Sequence, residues 1–346
     1  MVERAESEPK SNRSKLIRSV LIRFAVVGLL IGLVLGTNQY DWEAFGQEFS
    51  NAHTGWLVGA FLFGGVIHLT AAWRWVALLR VQDIDLPYLR VLKVNLIGFF
   101  FNQFLPSTVG GDAVKIFYAM RQTPGKKAKA ALSMIMDRVL GLLSILCVTL
   151  ILIPFEWERL SADPNTKTIS LTLAVMLGCL FMGLFVAAVF PLNVLPQAIK
   201  NLWPRVPKRD IFETLYEGFQ AHKHYPLKTT VALVAAVATV IPVLGLGSFI
   251  SHALHLDIGV GPMTILFALV LCAMSVPLPG GHGMREGAFV LLFPIFNVTR
   301  DGIPVGDETA LACSTLFLAI TIFWALIGGG IYLLFSHQLK AENIEQ

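Results

Sequence analysis

From about residue 20 to about residue 335 the sequence is a train of apolar runs separated by short polar connections. In hydrocarbon every backbone N–H and C=O must find its partner within the protein, so runs of this kind become helices. The 346 residues are 55% hydrophobic and only 14% charged, with a mean hydropathy of +0.66. That is more apolar surface than a soluble domain has interior to hide. The pattern predicts an all-α polytopic membrane protein whose function lies within the membrane or at its surface. The polar tails are too short for a soluble catalytic domain of typical size.

Charge asymmetry orients the runs. Residues 1–19 carry Arg4, Lys10, Arg13, Lys15 and Arg18 and read as a disordered cytoplasmic tail, followed by a single transmembrane domain over residues 20–335. Full spans are predicted over residues 20–36, 56–79, 130–153, 169–190, 229–251 and 309–335. The connection at 37–55 is acidic and external, whereas the loop at 191–228, rich in Lys and Arg, is cytoplasmic. Within that loop Ile211, Phe212, Leu215, Tyr216 and Phe219 recur at helical spacing and suggest an interfacial amphipathic helix. Trp73-Arg74-Trp75 reads as an aromatic and basic anchor at a headgroup interface. With residues 336–346 as a second tail, both termini lie in the cytoplasm.

Two stretches break the pattern. Asn102 to Lys115 holds Pro106, Ser107, Thr108, Gly110, Gly111, Asp112 and Lys115, and Val276 to Gly287 holds Pro277, Pro279, Gly280, Gly281, Arg285 and Glu286. The apolar arms around each break cover only about 20–24 Å at 1.5 Å per residue, too short for a hydrocarbon core of about 30 Å. Residues 91–120 and 261–297 are therefore predicted to be re-entrant hairpins entering from opposite faces, the mark of an inverted repeat with its site near the midplane. In each hairpin the returning helix would aim its free N–H groups and positive dipole end into the bilayer, an arrangement suited to phosphate. Asp137 and Arg138 lie nearby on the following span. Because neighbours at i and i+1 do not face each other on a helix, neither Asp137 with Arg138 nor Arg285 with Glu286 is expected to self-neutralise, and cross-pairing between segments is expected instead. Asp112 serves either as an N-cap for the returning helix or as a headgroup contact.

Cys147, Cys179, Cys272 and Cys313 show no metal or disulfide spacing and read as small core residues, and no cofactor or metal is indicated. His68 and His282 read as single hydrogen-bonded core or turn histidines, and His222 and His224 as solvated loop residues. Neither an HExxH motif nor a Ser/His pair suggests an intramembrane hydrolase. Nucleic acid is not expected as a partner, and a homo-oligomer is compatible with the pattern.

The runs Phe101-Asn102-Gln103-Phe104-Leu105-Pro106-Ser107-Thr108-Val109-Gly110-Gly111-Asp112, Met136-Asp137-Arg138-Val139-Leu140-Gly141 and Pro279-Gly280-Gly281-His282-Gly283-Met284-Arg285-Glu286-Gly287 resemble, in this order, the lysylphosphatidylglycerol synthase transmembrane region, a flippase-like family. The resemblance covers about residues 16–337. It implies a bacterial or archaeal inner membrane protein that handles lipids and, in some members, moves aminoacylated phosphatidylglycerol between leaflets. The soluble transferase domain of those members has no counterpart here, so lysyl transfer by this chain is not expected.

The expected function is translocation of an anionic or zwitterionic phospholipid or glycolipid, its phosphate held at the two helix starts with Arg138 and Arg285 as counter-charges. The alternative is a non-transporting membrane subunit that presents lipid to a separate aminoacyl- or glycosyltransferase.

Overall fold

The computed structural model describes residues 42–104, 110–123, 125–161, 226–274 and 283–342, with scattered positions between 164 and 182. The predicted span at 20–36, most of that at 169–190, the tail at 1–19, the loop at 191–225 with His222 and His224, and the break residues Ser107, Thr108, Gly280, Gly281 and His282 lie outside them. The described part is helical: α1 (Trp42–Ser50), α2 (Thr54–Val81), α3 (Tyr88–Phe104), α4 (Gly110–Gln122), α5 (Lys127–Phe155), α6 (Pro226–Ala253), α7 (Val260–Met274), α8 (Met284–Ile295) and α9 (Asp307–Glu342). A two-stranded ribbon, Thr299–Arg300 paired with Ile303–Pro304, joins α8 to α9.

Four helices, spanning Thr54–Val81, Lys127–Phe155, Leu227–Ala253 and Asp307–Leu334, are long and apolar enough to cross a membrane. They expose large apolar side chains such as Leu62, Ile151, Ile241 and Leu334, the surface that a helix presents to lipid rather than to water. The acidic connection before α2 is not a plain loop, since it contains α1, and α9 runs past the predicted end at residue 335.

The helices form two units of one plan. In each, a long helix is followed by a short helix, a break, a second short helix and another long helix: α2 to α5, then α6 to α9. Packing repeats with the plan, because α3 packs on α9 as α7 packs on α5, α4 on α5 as α8 on α9, and α2 on α9 as α6 on α5. The first helices of the units, α2 and α6, make the most extensive pair and run antiparallel. His53 N–H bonds the Ala253 carbonyl at one end (2.8 Å), and Lys228 Nζ bonds the Arg80 carbonyl at the other (3.0 Å).

Midway along this pair the contact is reciprocal. The ring of Phe249 fills the space over Gly59, and the ring of Phe63 fills the space over Gly245. The two rings meet at 4.5 Å between centroids. A surface that contacts its own equivalent in this way marks a two-fold relation between the units.

The ends differ in charge. At one, Lys126 Nζ and Lys228 Nζ both bond Asp83, beside Arg80, Arg90, Lys127 and Lys129. At the other, Glu48 on α1 accepts two bonds from Arg300 (3.0 and 2.6 Å) and one from Thr309 (2.8 Å), while Asp257 N–H bonds the Thr299 carbonyl (2.7 Å). Glu43, Glu156, Glu158, Asp301, Asp307 and Glu308 make this end acidic. The α3–α4 pair starts and finishes at the basic end, and the α7–α8 pair at the acidic end.

Of the glycine triplet in α9, Gly328 and Gly329 meet Leu96 and Phe100 of α3, whereas Gly330 faces open space. Cys313 is buried, Cys147 and Cys272 are half-buried, and Cys179 is exposed, so only the first fits the core reading. Substituting Gly59→Ala or Gly245→Ala should lower stability by similar amounts, about 1–3 kcal/mol each. Gly330→Ala should stay within about 0.5 kcal/mol. Thermal unfolding in detergent measures all three.

Candidate functional site

The first break is built on one face of α3. Asn95, Gly98 and Asn102 recur at i, i+3 and i+7, so they line up along the helix. The returning α4 presents Gly111 and Lys115, one turn apart, to that face. Asn102 Oδ1 accepts from the Gly111 N–H (2.8 Å), and Lys115 Nζ donates to Asn95 Oδ1 (2.7 Å). Contact this close depends on the missing side chains: a Cβ on Gly111 would overlap the Gly98 carbonyl, and one on Gly98 would overlap the Lys115 stem. Asn102, nine residues upstream, therefore caps the start of α4 across the break.

Asp112 is free for another role. It sits inside the first turn of α4, and it is Asn102 that bonds the helix start. Its carboxylate accepts from Arg138 on α5 at both oxygens, from Nε at 2.6 Å and Nη2 at 2.7 Å. Asp137, one residue earlier, faces the other way and takes Nε and Nη2 of Arg74 on α2 at 2.6 and 3.1 Å. The expectation that Asp137 and Arg138 pair with other segments rather than with each other is met. Fork-to-fork pairs of this kind combine charge with fixed geometry; Arg138 is 54% exposed over a largely enclosed Asp112, whereas the pair of Asp137 is enclosed on both sides.

The structure corrects the interfacial-anchor reading of Arg74. Its side chain is 11% exposed and that of Asp137 8%, with Gly141 leaving room for the guanidinium. Trp75 is buried too, its Nε1 bonded to Ser133 Oγ (3.2 Å). Because α2 continues seven residues beyond Arg74, the guanidinium sits about 10 Å inside the helix end. The hint in the sequence was the need of Asp137 for a cation at similar depth.

At the second break Arg285 is 2% exposed. Its Nε donates to Ser314 Oγ on α9 (2.8 Å), and the guanidinium lies 5.9 Å from the ring centre of Phe317. Here the expected cross-pairing fails, since Arg285 Nη2 pairs with its neighbour Glu286. The reason is local: Glu286 stands three residues into the helix start and bends back so that Oε2 accepts the Gly283 N–H (2.6 Å). That posture carries its other oxygen over the helix start, within reach of the long arginine. Neither Arg138 nor Arg285 is thus a bare counter-charge.

The structure joins Asn102, Gly111, Asp112, Lys115, Asp137 and Arg138 with Arg74 and Asn95 in one cluster, and Arg285, Glu286 and Ser314 in another. Gly110 opens α4 beside the first. Among the described residues no hydrogen bond or ion pair joins the two clusters. His68 is buried against Phe99 and Trp324, at 4.4 and 5.7 Å between ring centres. No group of three or more His, Cys, Asp or Glu among the described residues could hold a metal ion.

Removing one partner of a buried pair strands the other charge. Asp137→Asn should therefore lower stability by about 3–5 kcal/mol. The double variant Arg74→Leu/Asp137→Leu should lose clearly less than the sum of its singles, as chemical denaturation in detergent would show.

Comparison with known proteins places the chain in a family. The chain is 24% identical over 295 residues to a UPF0104 membrane protein of Pyrococcus horikoshii, covering 78% of this chain and 84% of the relative. The model of the family described as the lysylphosphatidylglycerol synthase TM region matches residues 20–336, a stretch that includes both breaks and both charge clusters, and the chain belongs to that family of multi-pass membrane proteins.

Proposed function

We propose that this protein is a lipid translocase whose α3–α4 and α7–α8 pairs are re-entrant hairpins entering the membrane from opposite faces. The observation that carries the reading is the first charge cluster. Five ionisable side chains from α2, α4 and α5, with Asn95 and Asn102 from α3, are gathered where a broken helix starts. Intramembrane charge on this scale is expensive and is kept for a headgroup, ion or proton path.

Depth supports a site near the midplane. Arg138 lies about 17 Å along α5 from the basic end, and Arg285 about 15 Å along α8 from the acidic end. A hydrocarbon core is about 30 Å thick, so both fall near its middle. The starts of α4 and α8 aim their N–H groups there, and a phosphate headgroup passing between leaflets meets Lys115 and the arginine forks while its tails stay in lipid. The basic end is cytoplasmic and the acidic end external, with both termini in the cytoplasm of a bacterial or archaeal cell.

Purified protein in liposomes should move a fluorescent phospholipid between leaflets, as dithionite bleaching of the outer leaflet reports. Arg138→Ala and Arg285→Ala should each slow it at least about tenfold, the loss of about 1.4 kcal/mol of interaction. Unchanged rates would remove both residues from the site. No movement by wild type, with a lipid-modifying transferase co-purifying, would favour the presenting subunit instead.

Single cysteines placed at Lys127 and Ile303 in a cysteine-free background test the orientation. An impermeant maleimide added to intact cells should label the second and not the first; the reverse pattern would invert the assignment.

A further inference from the structure

Seven described Asp, Glu, Lys and Arg side chains lie deep in the helices: Arg74, Asp112, Lys115, Asp137, Arg138, Arg285 and Glu286. Six of them pair one to one, Arg74 with Asp137, Arg138 with Asp112, and Arg285 with Glu286. The seventh is Lys115. It is only 8% exposed, and its ammonium bonds the neutral oxygen of Asn95 at 2.7 Å. It lies within Coulombic reach of Asp112, Arg138, Asp137 and Arg74, two anions and two cations that already offset each other. The described core therefore holds one positive charge in excess, and it belongs to the first unit alone.

A buried ammonium whose one bonded partner among the described residues is neutral is unfavourable unless something of opposite sign joins it. An ammonium offers three donors, and Asn95 Oδ1 takes one. The stem of Lys115 runs beside Gly98, and its ammonium bonds Asn95, seven residues along α3 from the Asn102 that caps α4. We infer that the headgroup accepted here carries a net negative charge and that Lys115 is the residue that selects for it. The inference rests on the translocation reading and narrows its substrate to acidic lipids. A zwitterionic headgroup contributes no net charge and leaves the excess in place. One phosphodiester without a compensating amine cancels it.

The test compares two probes in liposomes containing the purified full chain: a fluorescent phosphatidylglycerol and a phosphatidylcholine bearing the same fluorophore. Wild type should move the first at least about tenfold faster than the second, a difference of about one unit in the logarithm of the rate. Lys115→Gln should bring the ratio of the two rates close to one, and Lys115→Arg should restore most of the preference. Equal rates in wild type, or an unchanged ratio in Lys115→Gln, would overturn the inference; the wild-type ratio decides alone if the glutamine variant does not fold.

If wild type moves neither probe, the translocation reading fails by itself. Retention of each lipid by detergent-solubilised protein in native mass spectrometry then judges the charge rule. Phosphatidylglycerol retained over phosphatidylcholine by wild type but not by Lys115→Gln upholds it, and equal retention overturns it. Suppression of phosphatidylglycerol movement by excess sn-glycerol 3-phosphate would uphold the rule while assigning the site to a soluble phosphate ester.

Discussion

A charge that leaves water must bring its partner with it, and this requirement organises the first unit. Asp137 and Arg138 are adjacent on α5 and point apart, so one reaches α2 and the other α4. Two ion pairs thereby tie three helices at one level. The hairpin of α3 and α4 is fixed to the same level by the two asparagines of α3. Apolar packing alone would hold such helices together, but it would leave their rotation loosely defined, because lipid is as apolar as a leucine surface. The forked pairs set the rotation.

The second unit uses the same scaffold with less charge. Its returning helix also reaches the last helix of its unit, through Arg285 and Ser314, but the neutralising carboxylate comes from the next residue rather than from across the bundle. The arginine is correspondingly more deeply enclosed, under Phe317 and beside the core of Phe267, Phe289 and Phe293. Equivalent positions in the two units thus do different electrostatic work on a shared backbone plan.

Much of this is legible in the sequence. The length of the arms beside each break, the glycines at the start of the returning helix and the need of Asp137 and Arg138 for partners elsewhere all follow from elementary geometry. What escaped did so for physical reasons. Arg74 between two tryptophans has the look of a membrane anchor, and only the length of α2 past it shows its depth. Asn95 bears no charge and stands out only once its spacing to Gly98 and Asn102 is seen against a facing helix. Arg285 and Glu286 break the rule for helix neighbours because that rule describes helix interiors, and the first turn of α8 is not one. The helix at Trp42–Ser50 was hidden by a composition that resembles a loop.

The reciprocal contact of Phe63 and Phe249 over Gly245 and Gly59 joins the two units at the middle of α2 and α6. Two halves that meet over matching glycines can share one backbone plan and still differ in charge: the first unit carries the ammonium of Lys115 bonded to neutral Asn95, and the second an arginine paired with its own neighbour, so packing and electrostatics rest on separate residues.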